Sequence, residues 1–106
     1  RSPAYEKGRE DAKEDLKNGK LVYYVTGAPA PWDRLWAEML KAEYGVTLRS
    51  GGCDPDSEHF QRAEGYNTIS VPAIAEKYGE VLSQTGKRAE KEWAKQRTRS
   101  SREIKD

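Results

Sequence analysis

Cys53 and His59 are the sole cysteine and histidine of the chain, and their closeness in sequence makes them the starting point for any nucleophilic chemistry. A thiolate forms at neutral pH only beside a base or in a positive field, and Arg49 just upstream is a source of the latter. The intervening Asp54, Asp56 and Glu58 act in the opposite direction, because neighbouring carboxylates raise a thiol pKa. Pro55 between them leaves contact between the pair unspecified. The favoured reading is a small packing thiol in the turn Gly51-Gly52-Cys53, with no confident catalytic residue. A cysteine-dependent enzyme or redox protein using Cys53 and His59 is the alternative.

Asp54, Asp56 and Glu58 alternate like the opening of a calcium loop, whose hard oxygen ligands they would supply. His59 stands where such a loop needs glycine, and Gly65 where it needs its closing acid. A lone histidine with a lone cysteine also falls short of a zinc pattern. These residues read as polar turn chemistry, and neither a metal nor a cofactor is expected.

Gly27-Ala28-Pro29-Ala30-Pro31 occupies the strand-to-helix position of phosphate-binding loops, yet its prolines remove the N–H donors such a loop offers. It reads as a rigid connection. It also lies at the carboxyl end of a strand, the ligand-facing edge of an open sheet, so a small-molecule pocket is expected near Ala28, Trp32, Cys53 and Tyr66.

Basic residues gather at the C-terminus. Residues 1–85 carry eleven Lys/Arg against fourteen Asp/Glu, and residues 86–106 carry eight against four, an asymmetry hidden by the net charge of +1. Lys87, Arg88, Lys91, Lys95, Arg97, Arg99 and Arg102 are positioned to meet phosphates, with Trp93 among them to stack. Glu90, Glu92 and Glu103 dilute that field, and no nucleic-acid motif accompanies it, so a solvated basic tail is favoured over a nucleic-acid or anionic-surface site.

The elements that position these residues follow from periodicity. Leu21–Thr26 is apolar on both alternating faces, as in a strand covered on two sides. Pro31–Tyr44 places Trp32, Leu35, Trp36, Met39 and Leu40 on one helical face, Gly45 stops it, and Val46–Ser50 alternates as a second strand. Short links make the two strands parallel neighbours in a β-α-β core. A third strand is expected at His59–Ala63, followed by a turn at Glu64-Gly65-Tyr66-Asn67. Asn67 or Ser70 then caps a second core helix bearing Val71, Ile74, Ala75 and Tyr78.

Peripheral helices complete the outline. Ala4–Lys17 carries a thin seam of Tyr5, Ala12 and Leu16, with Gly8 placed to let another backbone approach closely. Lys87–Arg97 is held by Trp93, and the end frays from Thr98. The expected architecture is a small two-layer α/β or α+β domain with a three-stranded mixed sheet, residues 1–86 compact and 87–106 a basic helical extension. At 106 residues and 35% apolar content, one modest core is all the chain can build.

No run reaches the length of a membrane span. The chain begins at Arg1 rather than Met, which leaves a removed signal peptide or anchor, and the compartment, open. Lacking a complete catalytic set, the chain is expected to be a non-catalytic binding or protein-interaction module with a protein partner.

Overall fold

The computed structural model describes the backbone of residues 1–105 and the side chains of residues 1–99. Its order is α1 (Pro3–Lys17), β1 (Leu21–Val25), α2 (Asp33–Tyr44), β2 (Val46–Ser50), α3 (Glu58–Tyr78) and α4 (Val81–Lys105). β1 and β2 are parallel, with Leu21 opposite Val46 and Val25 opposite Ser50. Pro31 and Trp32 remain in the turn ahead of α2, where the Asp33 carboxylate accepts the Ala30 N–H at 2.9 Å. Gly45 ends α2 at φ 68°, a left-handed conformation that costs a glycine little.

The sheet has two strands, and this overturns the expected three-stranded mixed sheet. The segment His59–Ala63 opens α3 instead, and the expected turn at Glu64–Asn67 lies inside that helix. Ser57 starts it by accepting the Phe60 N–H on its hydroxyl at 3.1 Å. Ala63, Tyr66, Ser70 and Ile74 are then buried at helical spacing. Two of these four, Ala63 and Ser70, carry small side chains, so the apolar signal of the face is weak. Pro72 accordingly sits in the interior of α3 rather than in a first turn.

Alternation along β1 builds two clusters. Leu21 and Tyr23 pack with Leu40 of α2, Val46 of β2, Ile74 of α3 and Val81 of α4. Val22 and Tyr24 pack with Ala12 of α1 and with Tyr66 and Ile69 of α3. Helices thus cover both faces of the strand pair, and α3 passes the edge of β1 from one cluster to the other.

Asn67 marks that passage. Its side-chain oxygen accepts the Tyr24 N–H at 3.0 Å, and its amide donates to the Tyr24 carbonyl at 2.7 Å. One side chain thereby imitates the peptide of a neighbouring strand. Asn67→Ala leaves a part-buried donor and acceptor unpaired, and is expected to cost about 2 kcal/mol in the urea midpoint and to expose the Tyr24 amide to exchange. An unchanged midpoint would show that water substitutes freely at that edge.

α1 and α3 meet through glycines. A methyl on Gly8 would collide with the Arg62 carbonyl, and one on Gly65 with the Tyr5 carbonyl. Arg62 bonds Asp11 across the same contact, Nε to Oδ2 at 2.7 Å. On the other side, α4 lays Val81, Thr85 and Ala89 inward, and Gly86 lies against the Trp36 ring. Arg88 fixes α4 to α2 by a paired hydrogen bond to both oxygens of Glu43, at 2.7 and 2.9 Å, which holds the Glu43 carboxyl below its ordinary pKa.

Candidate ligand-binding site

The two strands end side by side and carry their loops with them. The Gly51 N–H donates to the Val25 carbonyl at 2.7 Å, and the Gly27 N–H to the Gly52 carbonyl at 2.8 Å. These bonds extend the strand contact past Ser50 and leave a cavity of about 370 Å³ between the strand ends and the first turns of α2. Val25, Ala37 and Leu48 give it apolar walls. Asp33, Arg34, Ser50 and Cys53 are polar residues of the lining, to which Gly27, Pro29, Arg49 and Gly52 also contribute.

Cys53 is exposed at this cavity. His59 sits near it in sequence but is otherwise engaged. Its Nε2 lies 3.0 Å from the Ser50 carbonyl oxygen, and its ring meets Tyr24 edge-on at 6.5 Å. Among the described residues no hydrogen bond links His59 to the Cys53 thiol. Since a carbonyl only accepts, the Nε2 carries a proton and has no lone pair free to act as base there. Arg49 also borders the cavity, although its pairing with Tyr24 in the strand register turns its side chain to the face opposite Leu48. Cys53 and Arg49 thus border the same cavity, while His59 is turned to the Ser50 carbonyl and is not among its lining residues.

The other expected site residues scatter. Ala28 is exposed between two lining residues, Gly27 and Pro29. Trp32 packs on Trp93 at 5.8 Å between ring centroids, which ties the start of α2 to α4. Tyr66 is on the far side of the sheet, 3% exposed, with its hydroxyl donating to Asp15 Oδ2 at 2.7 Å. Burial first, and that carboxylate second, push its phenol far above the ordinary range.

The acidic turn serves α3. Asp54 Oδ1 accepts the Asp56 N–H at 3.0 Å, and the Asp54 carbonyl accepts from the hydroxyl and the N–H of Ser57, the capping residue. Asp54, Asp56 and Glu58 shape a helix start, and among the described residues no three His, Cys, Asp or Glu side chains converge on one point.

On α4, Lys87, Lys91, Lys95 and Arg99 recur every fourth position and are exposed. Arg88 is occupied by Glu43, and Trp93 lies between Trp32 and the Arg97 guanidinium, 5.4 Å from its ring centre. Two members of the expected phosphate-binding set are thus engaged within the fold. The side chain of Arg102 lies outside the described residues, as do the others from residue 100 on; the backbone expected to fray from Thr98 continues α4 as far as Lys105. No helix among the described residues is long and apolar enough to cross a membrane.

Known proteins supply no analogy for this cavity: scans against family models, curated proteins and solved structures each found no match. The residues missed by sequence reasoning are Val25, Asp33, Arg34, Ala37, Leu48 and Ser50. The strand-end position could have found Val25 and Ser50, since both close a strand ahead of a turn. Ala37 and Arg34 depend on how α2 tilts over the sheet, which periodicity does not give.

Proposed function

We propose that this protein is a non-catalytic binding module that takes a small, partly apolar ligand at the carboxyl ends of β1 and β2. The observation that carries the reading is the cavity itself. Its volume of about 370 Å³ falls in the size range of small-ligand sites, and apolar walls with a few polar groups at one side are their usual chemistry. Its position at the carboxyl ends of parallel strands is where open α/β sheets receive ligands. The engagement of His59 with the Ser50 carbonyl supports binding over thiol chemistry.

Cys53 reports on occupancy. Being exposed, it is expected to react with iodoacetamide in the folded protein without waiting for unfolding, as a mass shift would record. A bound fragment covers it, so at about ten times its Kd labelling slows about tenfold. Amide resonances of Gly27 and Gly52 shift together with that protection. Ala37→Trp fills the cavity and removes both effects while circular dichroism stays native. A fragment screen in which small amphipathic acids, amines and alcohols neither slow labelling nor move those resonances overturns the reading.

A further inference from the structure

We infer that the outer edge of β2 is a self-association surface, on which a second copy of this chain adds its own β2 in antiparallel sense. The inference is independent of the cavity and rests on a difference between the two edges of the sheet.

In a parallel ladder successive residues turn their N–H and C=O alternately toward and away from the partner strand. Val25 faces β2, because its carbonyl accepts from Gly51. Tyr24 therefore faces outward from β1, and Asn67 closes that edge with both of its hydrogen bonds. The same count turns Val46, Leu48 and Ser50 outward from β2. Ser50 gives its carbonyl to His59, but among the described residues the N–H and C=O of Leu48 have no protein partner. The β1 edge is bonded at Tyr24 by Asn67, with Val22 3% exposed. The β2 edge has no proline or bulge: Val46 is 0% exposed, Lys41 reaches past to Thr47, and half-buried Leu48 is the residue whose backbone polar groups are left unpaired among the described residues.

A second copy fits this edge better than a generic strand does. Antiparallel pairing of β2 with itself centres the twofold on Leu48, whose N–H and C=O then exchange bonds with those of the other Leu48. Each Arg49 falls opposite Thr47 of the other copy, so the arginines are not directly opposed. The groove of about 580 Å³ beside the edge is walled by α2 through Ala37, Glu38, Lys41 and Ala42. The twofold runs the two α2 helices antiparallel, and so brings Glu38 of one copy toward Lys41 of the other.

Both charges are available for that exchange. Lys41 reaches across the edge only to the Thr47 hydroxyl at 3.2 Å, and Glu38 pairs with Arg34 at 3.3 Å, both in exposed positions where such contacts contribute little. The product is a four-stranded sheet with β1 at each end, and each β1 edge is already closed by its own Asn67.

Sedimentation and amide exchange test this with the full chain and no added ligand, so the result is separate from that of the fragment screen. Over about two decades of concentration the mass should rise from that of one chain toward that of two, with the Leu48 amide becoming protected in step. Lys41→Glu and Glu38→Lys should each weaken self-association about tenfold while keeping native circular dichroism, and an equimolar mixture of the two should recover it. A protein that stays monomeric throughout, with an unprotected Leu48 amide, overturns the inference. So does a dimer that ignores both charge variants, or an edge that takes an added extended peptide while the chain remains monomeric.

Discussion

Gly65→Ala is expected to unfold most of the protein at room temperature, or to lower its stability by more than about 3 kcal/mol, even though alanine is the better helix former by about 1 kcal/mol. The sign reversal comes from what the new methyl meets. At Gly65 it falls on the Tyr5 carbonyl, and at Gly8 the equivalent group falls on the Arg62 carbonyl. Neither obstacle is the end of a side chain that can swing away. Relief requires α1 and α3 to separate, which opens the cluster around Ala12, Val22 and Tyr66. Gly86→Ala is the internal comparison. Its methyl approaches a Trp36 ring atom at 3.3 Å, so a slight shift of the indole suffices and the change should stay within about 1 kcal/mol of zero. Gly8→Ala combined with Gly65→Ala should cost less than the two singles together, because the first change already parts the helices. Urea titration of the four variants checks the series. A Gly65→Ala protein as stable as the parent would mean that the two backbones are not in contact.

Those glycines also explain which parts of the fold could be read from residue types. β1, α2 and β2 are built with large apolar side chains, and Val22, Leu40 and Val46 declare their faces at the right period. α3 meets α1 at Gly65 and buries Ala63 and Ser70, and α4 meets Trp36 of α2 at Gly86 and buries Thr85 and Ala89. Small residues pack by bringing backbones together, and that leaves no hydrophobic signal. His59–Ala63 reads as a strand for this reason, although it opens α3. Gly8 was informative, since its place on the seam of α1 announced a close approach, but not which helix would make it.

The site shows the same division. The candidate cavity lies at the strand ends, where element order and loop type direct a search, and Cys53 is among its lining residues. Tyr66 falls outside the cavity, and Arg49 borders it with its side chain turned to the other face, because loop membership and side-chain direction are separate facts. Tyr66 is in a helix, not a turn, and Arg49 leaves its strand on the face opposite Leu48. Asn67 was beyond sequence reasoning altogether, because its function depends on meeting Tyr24, 43 positions away in the chain. That single amide bonds the β1 edge at Tyr24, whereas the backbone of Leu48 on the β2 edge has no counterpart among the described residues.

Tyr66→Ala is expected to cost about 3–5 kcal/mol, comparable with the whole stability of many small domains. The ring is 3% exposed, packs edge-on against Tyr24 at 5.0 Å, and fills the cluster that joins α1 to the sheet. Tyr66→Phe keeps the ring and loses only the bond to Asp15, for about 1–2 kcal/mol. The two variants also separate in alkali. Burial, then the Asp15 carboxylate, raise the native phenol above its unfolded value, so the neutral form is favoured in the folded protein. The stability linked to that proton is complete below the unfolded pKa of about 10 and is lost as pH climbs toward the native value. Above about pH 10 the unfolded chain releases the proton while the folded one retains it, which lowers stability by up to about 1.4 kcal/mol per pH unit. Tyr66→Phe removes this group from the balance, so its urea midpoint should fall less steeply than that of the parent above about pH 10. The half-buried phenol of Tyr23, also raised by burial, contributes equally to both proteins and cancels in the difference. Parallel curves for parent and variant would mean that Tyr66 ionises in the folded state as easily as in the unfolded chain, and would remove the buried phenol from the account of how α1 is held.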